Sequence, residues 1–487
     1  MKKNQDGLEP SENNSVNSVS PSAWLALSII CGLALVTMYG ETMVLPAIPD
    51  FIKDFSISYN TSSWILSSYL IAGAVMTPIA GKLSDIYGKK KILLIVMMIY
   101  SVGILTGGFA NSLPFLLSAR IAQGIGISMF PIAFGIVRDI FPIQKLGMAQ
   151  GIFTSTFFGG AVIGLIAGAK IISDYGWHAT FFSVFPIAIG LAFIMNRFIK
   201  IKKTEQDTMT IGIDVKGTLA LSSTVILFLI GVSFLQEISS GNLDSLGFFA
   251  GSAISLIIFA TLEKRVAHPL IDLKVLSDKV LLPSNVIMII VGVSTFMVYQ
   301  TIPILIRSPK PLGFGGDVLT IATVQLPFMI VSLVVSAAGG FFLSRVGNFK
   351  LTALGTMFCT VGFFSILTFH FTEYAISVTL AIISVGLSFT IVGCFNIILM
   401  SSPQKVQGVS LGMSVLLMLV GNSLGPSLAG MYQQMYRSTI PNLSGSFPSA
   451  QAYDQIFLTA ALLSVVSVFL VIFLRKNMRA KTNTIPS

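Results

Sequence analysis

The stretch GKLSDIYGKKK (Gly81–Lys91) separates two long apolar runs, and a related stretch, GFFLSRVGNFK (Gly340–Lys350), separates two others. Gly81 and Gly88 return 259 positions later as Gly340 and Gly347, and Lys91 returns as Lys350. A second pair behaves alike. GAVIGLIAGA (Gly160–Ala169) is matched by GNSLGPSLAG (Gly421–Gly430), with Gly160 and Gly164 returning as Gly421 and Gly425 at an offset of 261. Two matches at nearly one offset, each at the same place in a block of six apolar runs, imply a duplication. Duplicated helical bundles with a substrate site between the halves are the architecture of secondary transporters.

Composition places those runs in lipid. The chain has 487 residues, 54% of them hydrophobic and 10% charged, against roughly 25% charged in soluble domains. Such a chain cannot cover a water-facing surface with polar side chains. A helix that crosses hydrocarbon needs about 20 mostly apolar residues, because it must satisfy its own backbone there. Fourteen runs meet that need, at about 23–46, 64–82, 91–110, 114–137, 148–170, 179–199, 214–235, 246–262, 281–306, 319–342, 351–371, 374–400, 407–431 and 453–474. We number them spans 1 to 14. The expected fold is an all-α integral membrane protein of two duplicated six-helix bundles plus two inserted helices.

The expected organisation is a disordered cytoplasmic tail over 1–22, a first bundle over 23–199 and a linker with spans 7 and 8 over 200–280. A second bundle over 281–474 and a cytoplasmic tail over 475–487 follow. The polar, Ser/Asn-rich start lacks a signal-peptide pattern, because the first apolar run begins only at Trp24 and is long enough to span. Of the 30 Lys and Arg, 24 fall on the side that holds both termini, and Lys53, Arg307, Lys310 and Arg437 on the other. The positive-inside rule therefore puts both ends in the cytoplasm, so the net charge of +10 is a topology signal and not a nucleic-acid surface. Cys31, Cys359 and Cys394 sit in apolar runs as small packing residues.

The loop Gly81–Lys91 resembles the signature of the major facilitator superfamily, with Gly81, Asp85, Gly88, Lys89 and Lys90 in its positions. A second signature, an arginine followed by Gln-Gly-x-Gly, is matched by Arg120, Gln123, Gly124 and Gly126. GWHATFFSVFPIAIG (Gly176–Gly190), IDVKG (Ile213–Gly217) and HPLIDL (His268–Leu273) are similar to the fourteen-helix drug/proton antiporter branch. The resemblance covers 24–474. It implies proton-coupled export of drug-like compounds, and a role in cation or proton binding for Glu41, which stands where that branch usually has an Asp. One departure is Leu165, where the antiporter motif of span 5 carries a proline; the second copy keeps Gly425-Pro426. Without proline, span 5 should be straighter.

The physics of these residues supports two candidate sites. In the loop, Gly81 and Gly88 permit a tight turn with close backbones. Asp85 can pair with Arg138 or sit at a helix N-terminus, which with Lys89 would make a conformational gate; any single lysine of the loop is read as a topology signal alone. Within the spans, Glu41 and Arg120 lie at similar depth. A charge at mid-helix costs roughly 2.5–3.5 kcal/mol, so either Glu41 pairs with Arg120 or it lines the central cavity and takes up a proton. Lys170 is read as either snorkelling or functional. Gln123, Gln300, Gln325 and Asn396, with Asn422, are candidates to bind a ligand or to bridge helices. The 37 Phe side chains include faces suited to a lipophilic cation.

Other activities are disfavoured. There is no G-x-x-x-x-G-K-[ST] phosphate loop, and His178, His268 and His370 fall at separate helix ends or loops, so no enzyme site, metal or cofactor is expected. The expected partners are a small-molecule substrate, protons and the bilayer, with no nucleic acid and a monomeric chain. The leading expectation is a secondary exporter of hydrophobic, cationic compounds driven by protons. A symporter or uniporter of one organic solute is the alternative, and a non-transporting membrane sensor is the third.

Overall fold

A computed structural model describes residues 19–199, 215–234, 244–266, 277–402, 407–441, 443 and 445–482. Thirteen helices among them are long and apolar enough to cross a membrane, and a shorter apolar helix spans Lys216–Val232. That shorter helix occupies span 7, so each expected run is helical. The terminal tails up to 18 and beyond 482, the linker 200–214 and the HPLIDL stretch lie outside the described residues.

Local sequence explains where helices start and break. Ser58 accepts from the Thr61 amide at 3.0 Å to open span 2, and Thr372 accepts from the Ala375 amide at 3.2 Å to open span 12 after a very short turn. Gly88 (φ 95°) and Gly347 (φ 83°) end the helices before them with left-handed backbone, at positions the repeat makes equivalent. Span 1 is not one rod. The helix Pro21–Thr42 gives way to a 3₁₀ turn, Leu45–Ala47, and a short helix, Ile48–Asp54. Pro46 and Pro49 have no amide to continue the first ladder but suit the first turn of a new one. Span 4 is likewise broken, into Leu113–Ile125 and Met129–Ile140 by a 3₁₀ turn at Gly126–Ser128. Span 10 breaks at Ala338, ahead of the helix Gly339–Val346. A two-stranded hairpin, Arg437–Thr439 with Ser446–Pro448, joins spans 13 and 14 and was not anticipated.

The repeat is visible in the packing. Span 1 packs on span 5 and, equivalently, span 9 on span 13; the halves meet where span 2 packs on span 13 and span 5 on span 10. A methyl at Gly160 would sit 2.4 Å from the Leu35 carbonyl oxygen, and one at Gly421 would sit 2.5 Å from that of Ile289. These glycines let two helix backbones touch. Gly81 is different. It lies inside the helix Tyr59–Tyr87, and a methyl there would meet nothing within 4 Å. The expectation that Gly81 serves close backbone approach is therefore corrected: of the loop glycines, only Gly88 has a conformational need visible here. We expect Gly160→Val to cost about 1–3 kcal/mol through overpacking while Gly81→Ala stays within about 0.5 kcal/mol. Thermal unfolding of the purified variants in detergent checks this; equal melting temperatures would refute it.

Spans 7 and 8 pack on each other and against the seam between the halves, with Val225 and Leu229 against Ile71, and Ala220 and Phe259 against Met413. Consecutive spans run antiparallel, so the Gly88 and Gly347 turns share one end of the molecule. Asp50 and Arg307 share the other. At that second end the halves close on each other: Arg307 bonds Asp50 at 2.8 Å, a methyl at Gly430 would lie 3.0 Å from the Asn60 Cα, and deeper in the seam Ser67 donates to the Ser423 carbonyl at 2.8 Å.

Candidate substrate and coupling site

Glu41 sits in the last turn of the first helix, and that turn is pinned by its neighbours. Gly40 has no side chain because the Tyr100 hydroxyl occupies the space, 2.2 Å from where a methyl would be. That hydroxyl donates to the Val36 carbonyl at 2.7 Å. On the far side Thr42 donates to the Ala161 carbonyl of span 5 at 3.0 Å. With both flanking residues committed, the backbone that carries Glu41 is fixed. It keeps some accessible surface, and among the described residues it has no hydrogen-bond or ion-pair partner.

Arg120 is not in ion-pair contact with Glu41. The guanidinium is fully buried and donates to the Ile65 carbonyl (3.1 Å), the Gly40 carbonyl (3.2 Å) and Gln123 Oε1 (2.8 Å), and it stacks 4.3 Å above the Tyr69 ring. Direct pairing, one of the two expected arrangements, is thus absent. Arg120 braces spans 1, 2 and 4 and acts on Glu41 only through its field. Gln123 completes the brace by donating to the Gly103 carbonyl at 2.8 Å. Both ends of its amide are occupied, which corrects its candidacy as a cavity group.

The partner surface comes from the other half. Tyr299 of span 9 lies within electrostatic reach of Glu41, and its hydroxyl is buried with no partner among the described residues. Phe296 (5.8 Å) and Phe328 (5.6 Å) flank its ring, and its carbonyl accepts from Gln325 Nε2 at 3.1 Å. Gln325 Oε1 and both amide atoms of Gln300 are buried and unpartnered among the described residues. Asn396 turns back onto its own helix, donating to the Val392 carbonyl at 2.9 Å, and Asn422 packs close to Gly292. Of the polar candidates, Gln300 and Gln325 retain free hydrogen-bonding capacity. Tyr299, which sequence reasoning passed over, is bonded by Gln325 through its carbonyl and is within electrostatic reach of Glu41.

The remaining residues sort by position. At the Gly88 end, Lys89 forms an ion pair with Asp139 and Lys90 donates to the Asn196 carbonyl at 2.8 Å. The side chain of Asp85 lies outside the described residues, and Arg138 is exposed. The acid that meets the loop lysine is the neighbour of the arginine that was expected there. Lys170 is exposed and pairs with Asp174 one turn on at 3.0 Å, a surface arrangement. Leu165 is fully buried where the motif has proline, and span 5 is unbroken over Ile143–Tyr175. Gly164 and Gly425 lie against Tyr39 and Val293, and Pro426 lies inside span 13. No group of three or more metal-ligating side chains occurs among the described residues.

Comparison with known proteins gives the family. The Major Facilitator Superfamily profile matches residues 30–426. Multidrug resistance protein 3 of Bacillus subtilis (strain 168) is 26% identical over 70% of this chain, and the match spans 65% of that protein's own length. The tetracenomycin C resistance and export protein of Streptomyces glaucescens is 26% identical over 83% of this chain and 74% of its own. The crystal structure of the human organic anion transporter MFSD10 (TETRAN) aligns with a TM-score of 0.65 at 14% identity, covering 93% of this chain and 100% of that one. This chain belongs to the Major Facilitator Superfamily and is a multi-pass membrane transporter, not an enzyme.

Proposed function

We propose that the protein is a proton-coupled exporter of hydrophobic, cationic drug-like compounds, of the fourteen-helix type, in the cell membrane with both termini cytoplasmic. One observation carries this reading: a carboxylate inside a membrane span, free of any partner among the described residues, lies within electrostatic reach of Tyr299, whose ring is flanked by Phe296 and Phe328 of the same half. A cation between Glu41 and Tyr299 would meet a full negative charge on one side and aromatic ring faces on the other. A proton neutralises the same carboxylate, so proton and cation compete for one site. Competition at a site that faces alternate sides of the membrane is antiport. A relative named as a multidrug efflux pump, LfrA, of Mycolicibacterium smegmatis, 25% identical over 88% of this chain, is in keeping with export. The charged loop around Asp85, Lys89 and Asp139 serves in this reading as the gate at the cytoplasmic end.

Proteoliposomes test the proposal. Adding a lipophilic cation to vesicles that hold a proton gradient and the protein should collapse the gradient at a rate set by protein content. Substrate flux without proton movement would favour uniport, and flux that drives protons along with the substrate would favour symport.

A further inference from the structure

The short helix Ile48–Asp54 is fastened on both sides. Trp177 of span 6 donates to Asp54 at 2.8 Å, and Arg307, at the end of span 9, bonds Asp50 at 2.8 Å. The Arg307–Asp50 pair joins the two halves and is partly buried, whereas the Lys89–Asp139, Lys170–Asp174 and His370–Asp454 pairs each stay within one half. Each member also has a substitute partner in its own half. Lys53 lies three residues on from Asp50 in the same short helix, and the Gly316 amide donates to the Ile306 carbonyl at 2.8 Å, which brings Asp317, the cap of span 10, alongside Arg307; each is within electrostatic reach of its counterpart. Asp317 is well placed to wait. Its carboxylate accepts from the Thr320 hydroxyl and amide, both at 2.7 Å, and these bonds hold it below the usual carboxylate range, so it stays charged.

We infer that Arg307 is the moving member of a two-partner charge switch, bound to Asp50 while the halves are closed at this end and transferred to Asp317 when they part, with Lys53 then compensating Asp50. A latch without substitute partners would leave two partly desolvated charges on opening and would hold one state too firmly. With substitutes the two states differ little in charge pairing, so a modest energy from substrate or proton can choose between them. The inference needs only the two-half fold and does not depend on which solute is moved.

The test reads opening directly. Ser63 is fully buried beside Gly430 in the closed seam. A cysteine placed there, in protein reconstituted in nanodiscs, reacts with a water-soluble maleimide only when this end opens; labelling at residue 63 is followed by peptide mass spectrometry. Asp50→Asn and Arg307→Gln each remove one pair from both states and should leave labelling within about twofold of the parent. Asp317→Asn should slow it about three- to fivefold, as expected for loss of one partly exposed pair from the open state alone. The exchanged pair, Asp50→Arg with Arg307→Asp, should label no faster than the parent. Labelling more than about threefold faster in Arg307→Gln, or an Asp317→Asn rate equal to or above the parent's, would overturn the switch. A simple latch predicts faster labelling in both Asp50→Asn and Arg307→Gln and no effect of Asp317→Asn.

Discussion

Glu41→Gln is expected to reduce substrate-driven proton movement in proteoliposomes to the level of protein-free vesicles while leaving the protein folded. The reason lies in what the side chain does and does not touch. No described residue bonds its carboxylate, so the amide breaks no internal contact, and the shape of the turn between Gly40 and Thr42 is kept. What is lost is the charge. A hydrogen bond to a charged group is worth about 1.5–3 kcal/mol, so cation affinity should fall roughly ten- to a hundredfold, while neutral compounds should bind nearly as before. Glu41→Asp keeps the charge but shortens the side chain that carries it, and should retain partial activity with a shifted pH optimum. Coupling in Glu41→Gln equal to the parent would leave the carboxylate as an interfacial anchor and end the proposed mechanism.

Local sequence properties made part of this arrangement legible in advance. Glu41 stands out because one carboxylate in an apolar run has no cheap explanation, and the paired glycines stand out because helix contacts repeat with the duplication. Gly160 against Leu35 and Gly421 against Ile289 are the same contact made twice. Other features depend on who the neighbours are. Tyr299 is one of 11 tyrosines with no spacing to mark it, and only the meeting of spans from opposite halves brings it within electrostatic reach of Glu41. Asp139 was overlooked beside Arg138 because one residue along a helix turns a side chain by about 100°, a difference that the loop's charge pattern does not encode. The breaks at Leu45–Ala47 and Gly126–Ser128 carried a signal, Pro46 and Pro49 in the first case and clustered glycines in the second. A hydropathy window averages such signals away.

Arg120 separates bracing from coupling, and its loss should be the most damaging single change to stability. Removing the guanidinium relieves the cost of burying a charge, which by itself favours an apolar replacement. Against that stand two acceptors, the Gly40 carbonyl in the last turn of its helix and Gln123 Oε1, which would lose their donor in a site with no exposure, while the Ile65 carbonyl keeps the amide of its own helix. Each unsatisfied buried acceptor costs about 1–3 kcal/mol, and two of them outweigh the relief. Arg120→Met should therefore lose about 2–4 kcal/mol, seen as a lower melting temperature in detergent and a poor yield of folded protein. Arg120→Lys keeps the positive field near Glu41, but one ammonium cannot reach acceptors on three spans as a planar fork does. It should be intermediate in stability yet retain measurable proton coupling. If Arg120 instead served only to tune Glu41, both variants would be as stable as the parent and the methionine variant would show altered coupling in well-folded protein. A melting temperature unchanged in Arg120→Met would therefore remove the brace and return Arg120 to the coupling site.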